Sequence, residues 1–370
     1  MKKKKVAWIT FNAFLDTDLY IVRELTKFYE INWYIVRSKN DKFEYLDTLE
    51  NMRDKHDLKI NMCVCGRRLR KPECILFYKK MLFEIKKQKN DLLFTSMAGA
   101  PYFVPTLLLI TKSEKTIMAI HNVHVPKGGS AYTFFKFYTW LTICHFKYFQ
   151  TFSKSQLKDL KNIAVGKDIM YAPFILKDYG EPSRERTSKL ITFLNFGNIR
   201  EYKRIDVLIE AAQKAYEETG KSFKVIIAGK CDHWDEYKKI IKYDFLFDIR
   251  IGRVENDEVA NLFNECDYFV APYQDIAQSG SSVIAINYDK PLIASELPAF
   301  KEYINDKENG YLIRPANVKD LTDVMIEILI NNNQGYSQMV DKLKDSKNQC
   351  FSTDAIIAKY REFFDYVIGK

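Results

Sequence analysis

The chain has 370 residues, 47% of them apolar, 14% aromatic and 28% charged. This excludes a disordered or collagen-like polymer, and at ~150 residues per domain it points to two domains. The net charge of +9 divides unevenly: residues 1–180 hold 31 Lys and Arg against 17 Asp and Glu, and residues 181–370 hold 26 against 31.

The first half reads as alternating strands and helices. KKVAWITF is a strand, DLYIVRELTKFYE has helical apolar spacing, and INWYIVRS is again a strand. ECILFYKKMLFEIKKQK is a helix with one apolar face, DLLFTS a short strand, PYFVPTLLLITKS a helix and TIMAIHN a strand. Such alternation predicts a parallel sheet covered by helices on both faces. The aromatic segment Ala131 to Phe149 reads as a buried helix, with an interfacial helix as the alternative. The apolar run Phe103 to Ile110 contains Pro105 and Thr106 and falls far short of the ~20 residues a membrane span needs. No signal-peptide pattern follows Lys2 to Lys5, so a cytoplasmic location is expected.

A polar boundary, Pro173 to Ser188, precedes a second alternation. KLITFLNFG, FKVIIAG, YFVAPY and PLIAS are strands. RIDVLIEAAQKAYEETG, EVANLFNECD, SSVIAINYD, VKDLTDVMIEILINN and roughly Thr353 to Ile368 are helices. The expected division is 1–172, a linker at 173–188, and 189–350, with 353–370 returning to the first domain. Two doubly wound α/β domains in tandem are therefore predicted, with ligands at the carboxyl ends of their strands.

Basic residues cluster at 2–5, 67–71 and 79–89. No helix-turn-helix, RNA-recognition or zinc-finger pattern accompanies them, so nucleic acid is not an expected partner. A solvated helix face is the plain reading. An anionic membrane surface is the functional one, at ~1 kcal/mol for each basic residue near it. The seven cysteines are odd in number and irregularly spaced, as expected of reduced thiols. Cys63-Val64-Cys65 has no matching second pair, so no zinc site is expected.

Two loops of the second half carry phosphate chemistry. In FGNIREYKR (Phe196 to Arg204) a strand ends at Gly197, and Arg200, Lys203 and Arg204 precede a helix; cations beside free N–H groups suit a phosphate. In Gln278-Ser279-Gly280-Ser281-Ser282 small residues open a helix, and the N–H groups of Gly280, Ser281 and Ser282 form a diphosphate cradle without a Walker lysine. An ordinary Ser-capped helix is the alternative. In the first half, AIHNVHVPKGG (Ala119 to Gly129) places His121 at a strand's carboxyl end with His124 close by. A third metal ligand is missing there, so no metal is expected. His121 as an ordinary loop residue is the alternative.

In this order, FGNIREYKR, VIIAG (225–229), IGRVENDEVANLFNECDYFVAPY (251–273), Gln278-Ser279-Gly280, KPLIAS (290–295), Glu302 and NGYLIRP (309–315) resemble the glycosyltransferases of family 4, which have the GT-B fold. The resemblance covers about residues 189–330. It implies that Lys203 holds the donor diphosphate and that Arg200 replaces the family's arginine, whose place Asn198 takes. It implies contacts to the donor nucleoside and sugar from Gly197, Asn198, Gly229, Arg253, Val254 and Gln278. His121 matches the family's histidine near the donor sugar and is the implied catalytic residue. Ile276 and Ile284 stand where many members carry paired glutamates, so the chain resembles a subgroup with Gln-Ser-Gly in this loop. Asp16, Asp18 and His124 are the acceptor candidates, although both aspartates also suit a helix start.

The implied activity is transfer of a sugar from a UDP- or GDP-linked donor to a glycan or lipid-linked acceptor in cell-surface polysaccharide synthesis. Retention of configuration, independence of metal, no cofactor beyond the donor substrate and a peripheral position at the membrane's inner face accompany it. A nucleotide-sugar epimerase of the same fold and a non-catalytic partner protein are the rival readings.

Overall fold

The computed structural model describes residues 3–41, 43, 45–55, 58–96, 100–111, 113–123 and 132–370. The chain divides into two compact units, Met1–Ile175 with Thr353–Lys370, and Leu176–Ser352.

In unit 1, β1 (Lys5–Phe11), α1 (Leu15–Leu25), β2 (Glu30–Ser38), α2 (Leu46–Lys55), β3 (Leu58–Cys65), α3 (Cys74–Lys87), β4 (Leu92–Ser96), α4 (Phe103–Ile110), β5 (Thr116–Ala119), α5 (Tyr132–His145), β6 (Tyr148–Thr151), α6 (Lys154–Ile163) and β7 (Asp168–Tyr171) alternate along the chain. The strands form one parallel sheet in the order β3-β2-β1-β4-β5-β6-β7. The two-residue period of a strand explains the core. Val6 and Trp8 of β1 point to one face, against Trp33 and Phe94. Ala7, Ile9 and Phe11 point to the other, against Tyr78, Phe103 and Leu107. Trp8 stacks on Phe94 with ring centroids 3.9 Å apart. The last helix of the chain, Thr353–Gly369, completes the first face with Ile356, Tyr360, Phe364 and Val367, all nearly sealed from solvent. Truncating either of the two aromatic anchors to alanine costs about 3–5 kcal/mol.

Unit 2 repeats the architecture with β8 (Thr192–Phe196), α7 (Ile205–Thr219), β9 (Lys224–Gly229), α8 (Trp234–Lys238), β10 (Phe247–Ile251), α9 (Asn256–Asn264), β11 (Tyr268–Ala271), α10 (Gly280–Asn287), β12 (Leu292–Ser295), α11 (Pro298–Lys301), β13 (Gly310–Ile313), α12 (Val318–Ile330) and α13 (Tyr336–Phe351); the terminal helix is α14. The parallel order is β10-β9-β8-β11-β12-β13. Helix α7 stops where Gly220 turns left-handed (φ 62°) and returns its N–H to Tyr216.

Several elements depart from the sequence expectations. The first helix starts at Leu15 and ends at Leu25, because Glu30 already belongs to β2 and pairs beside Lys5. Strand β5 stops at Ala119, so His121 lies two residues beyond it. The aromatic segment is not a buried helix throughout. Tyr138, Ile143 and Phe146 face the core, while Phe137 and Trp140 are each 57% exposed. Stretches given no element by the apolar pattern, around α2–β3, β6, α6–β7, α8–β10, α11, β13 and α13, are regular structure.

Candidate functional site at the switch point of unit 2

Strand order reverses between β8 and β11, and in an open parallel sheet the crevice beyond the carboxyl ends at such a reversal is where ligands bind. Here the loops leaving β8 and β11 are the two that the sequence singles out. They are tied together: the Gln274 N–H donates to the Tyr202 carbonyl at 2.8 Å, the Arg204 guanidinium donates to the Gln274 side-chain oxygen at 3.1 Å, and the Tyr202 and Tyr273 rings meet edge to face.

The backbone beneath is built from glycine. Gly197 (φ 109°) follows β8, and Gly229 (φ 139°) ends β9. A Cβ at Gly229 would fall 2.1 Å from the Gly197 carbonyl oxygen, which no side chain permits. A Cβ at Gly197 would stand 3.1 Å from Lys203 Nζ and 3.5 Å from Ser281 Oγ. Lys203, close by in sequence, and Ser281, in the distant second loop, therefore both face the bare backbone of Gly197.

Lys203 is 5% exposed. Its ammonium donates to the Phe196 carbonyl at 3.3 Å and lies 5.5 Å from the ring centroid of Tyr273. Among the described residues no carboxylate pairs with it, and burial pushes it down to about 8. The Tyr273 hydroxyl is fully buried; burial raises it to about 12, against the lowering by hydrogen bonds from the Ser281 and Ser279 hydroxyls, so it stays neutral. Both amide atoms of Gln278 are buried and, among the described residues, unpartnered.

Helix α10 begins with Ser279 as its cap. The Ser279 Oγ accepts the N–H of Ser282 at 3.2 Å and the Ser282 hydroxyl at 2.8 Å. This is the Ser-capped helix start that the sequence offers as the alternative reading, and it engages the Ser282 N–H and hydroxyl. Gly280 and Ser281 keep the first N–H groups of the helix, which have no carbonyl of their own helix to bond.

Arg200 differs from Lys203. It is well exposed and its guanidinium pairs with Asp232 at 3.3 Å. Asp232, in the loop after β9, thus pairs with Arg200, whereas Lys203 faces Gly197. Asn198 is exposed, and Arg253 sits 3.5 Å from Glu255. Val254 is half-buried beside it.

In unit 1, His121 lies between two aromatic rings, Phe14 at 3.9 Å and Phe152 at 4.3 Å between centroids. Asp16 is half-buried in the first turn of α1. Asp18 is buried, accepting from Trp8 Nε1 at 3.0 Å and Thr10 Oγ1 at 2.6 Å. Asp18 is therefore a core residue, which corrects its place among the acceptor candidates. His124 lies outside the described residues. Sequence reasoning missed Tyr273 and Gln274; their position directly after β11 was the available signal.

The two parallel sheets define a GT-B fold, and residues 181–346 match the family model described as glycosyl transferases group 1. The chain is 23% identical over 214 residues to a poly(ribitol-phosphate) alpha-N-acetylglucosaminyltransferase of Staphylococcus aureus (strain COL), covering 58% of this chain and 43% of that protein. Matches to the curated relatives span less than half of those relatives' lengths. A glycosyltransferase from Rickettsia africae ESF-5 superposes with a TM-score of 0.74 at 16% identity, over 100% of this chain and 99% of that one. A mutant of S. aureus TarM, solved with fondaparinux, alpha-GlcNAc-glycerol and UDP, gives 0.72 at 15% identity over 98% and 99%. The structural likenesses show the GT-B fold, and the family match covers residues 181–346.

Proposed function

We propose that this protein transfers a sugar from a nucleoside diphosphate sugar to a glycan or lipid-linked acceptor in cell-surface glycan synthesis. The observation that carries the reading is Lys203, a buried ammonium with no carboxylate partner among the described residues, facing Gly197 and the first turn of α10. Breaking the glycosidic bond of a nucleotide-sugar leaves negative charge on the diphosphate. Lys203, the N–H groups of Gly280 and Ser281, and the Tyr273 hydroxyl are donors fixed before that charge develops, which is how a site lowers such a barrier. Among the described residues no group of three His, Cys, Asp or Glu is placed to hold a metal ion. In this reading Lys203 and the helix start carry the charge that a cation carries elsewhere. Retention of configuration belongs to the same proposal, and the relative that acts on poly(ribitol-phosphate) supports a surface-glycan acceptor. His121 is the unit 1 residue we assign to the transferred sugar, with Asp16 toward the acceptor.

The first half is basic, and α3 presents Leu76 (75% exposed) and Phe83 on the same face as Lys79, Lys80, Lys86 and Lys87. That face suits an anionic bilayer, with apolar side chains entering among the headgroups and lysines around them. Among the described residues no helix is long and apolar enough to cross a membrane.

The test is incubation of the protein with UDP- and GDP-sugars, with and without bacterial surface glycan, followed by mass analysis. Sugar appearing on the glycan together with free nucleoside diphosphate supports the proposal. An altered nucleotide-sugar in the absence of acceptor establishes the epimerase instead. Binding without turnover establishes the non-catalytic partner.

A further inference from the structure

The sheet of unit 1 carries a cationic loop at its far edge. Residues 66–73 join β3 to α3 and present Arg67, Arg68, Arg70 and Lys71, all exposed. Arg67 pairs with Glu73 at 3.1 Å. Among the described residues no carboxylate pairs with Arg68, Arg70 or Lys71. Buried groups beneath fix the loop's course. The Tyr78 hydroxyl donates to the Leu69 carbonyl at 2.8 Å, the Cys74 thiol to the Arg68 carbonyl at 3.3 Å, and the Cys74 N–H to the Lys71 carbonyl at 3.0 Å. Tyr78 and Cys74 are sealed from solvent, so the main chain is held from inside and the cationic side chains are left outside.

Arg37 adds a cation at the end of the neighbouring strand, in register with Val64 of β3. Its guanidinium donates to the Asp41 carbonyl at 3.1 Å and lies 4.8 Å from the ring centroid of Phe43, while its Nε is buried with no partner among the described residues. The Lys39 N–H donates to the Cys65 carbonyl at 2.8 Å and ties the two strand ends together. The strands of this sheet are parallel, so the loop opens at the same edge as Asp16 after β1 and His121 after β5. From β3 to β5 is four strand spacings, about 19 Å at ~4.8 Å each. A single sugar does not span that distance, whereas a chain of repeating units does.

Three of the four loop cations are arginines, whose planar fork matches phosphate oxygens in pairs. Leu69, the loop's one large apolar side chain, is half-buried, so the loop lacks the apolar groups that a bilayer face needs. We propose that this loop holds phosphate groups of a polyanionic, phosphodiester-linked glycan acceptor, several units away from the hydroxyl that receives the sugar. This rests on the reading of the chain as a glycosyltransferase and names the class of its acceptor. The loop sets how tightly a long acceptor binds and leaves the donor site untouched.

Fluorescence anisotropy on the full chain tests it, with a labelled oligo(glycerol phosphate) chain, its single repeat unit and an uncharged glucan of matched length as probes. The variants are Arg68→Gln/Arg70→Gln/Lys71→Gln and the charge-keeping Arg68→Lys/Arg70→Lys, with calorimetric titration of UDP and GDP alongside. Wild type should bind the charged chain more tightly than the single unit or the glucan. The glutamine variant should lose about tenfold in affinity for the charged chain, as three exposed ion pairs removed together warrant. The lysine variant should keep most of that affinity, and nucleotide binding should be unchanged throughout. Equal binding of the charged chain by wild type and the glutamine variant overturns the proposal, as does a glucan bound as tightly as the charged chain. Phosphatidylglycerol vesicles that bind through these three residues, where the charged chain does not, also overturn it and assign the loop to a membrane. Each of these leaves the nucleotide site standing. Wild type that binds the charged chain but neither UDP nor GDP overturns the transferase reading, and with it the loop's role toward an acceptor.

Discussion

The Lys203 ammonium rests 5.5 Å from the centre of the Tyr273 ring, both side chains being shut away from solvent. A ring face offers modest compensation to a cation, about 0.5–2 kcal/mol. It does not replace a carboxylate, and the free energy of burying Lys203 is recovered only when an anion arrives. The unliganded protein therefore carries a stability cost at its own site.

Lys203→Met removes that cost. In the native state Lys203 sits at about 8 against an ordinary 10.5, so below pH 8 both folded and unfolded chains hold the proton and the penalty is complete. Wild-type stability rises as pH climbs from about 8 toward 10.5, because the unfolded chain then binds more protons than the native one. We expect Lys203→Met to stabilise the unliganded protein at pH 7 by about 3 kcal/mol. Urea unfolding checks this, and a destabilised variant contradicts the assignment of Lys203 as an uncompensated cation.

Gly229 and Gly252 separate close approach from backbone strain. Both have positive φ, 139° and 145°, but only the Gly229 position lies against another chain segment; Gly252 has nothing within 4 Å of an added Cβ. Gly252→Ala should cost about 1–3 kcal/mol, the strain alone. Gly229→Ala should cost more and displace Gly197, with nucleotide binding lost alongside. Equal unfolding free energies for the two variants would show that the contact with Gly197 is not as described.

Asp18 offers a pH signature in unit 1. Burial raises it to about 7, against the lowering by its bonds from Thr10 and Trp8. The native state thus holds the proton more tightly than the unfolded one, and stability falls as pH rises from about 4 to about 7. Asp18→Asn stays neutral throughout. Relative to the variant, wild type should lose about 2–3 kcal/mol between roughly pH 5 and pH 8. Parallel pH curves for the two proteins would contradict it.

Much of the fold was readable from periodicity. The core strands β1, β2, β4, β8, β9, β11 and β12 are apolar on both faces, and Gly220 marks the end of α7 as plainly as Asn317 marks the start of α12. Strand β3 escaped notice because it is an edge strand whose exposed positions include Lys59, Met62 and Val64, so its pattern resembles neither a buried strand nor a helix. Helix α13 buries only Met339, Leu343 and Phe351 of its sixteen residues, too few to mark it. At the site, Lys203 and Gly280 could be named from local chemistry. The division of labour could not. Asp232 holding Arg200 and Ser281 facing the backbone of Gly197 are contacts between distant positions, of which local sequence carries no record. The choice of Ser279 as the cap of Ser282 turns on backbone angles that two neighbouring serines do not announce.

The most direct test of the diphosphate site is calorimetric titration of UDP and GDP into wild type and Lys203→Met between roughly pH 7 and pH 9. A diphosphate that needs the protonated lysine should bind wild type with affinity that falls toward tenfold per pH unit above about 8, and the variant should bind more weakly with that slope absent. Identical pH profiles and affinities in the two proteins would contradict the account.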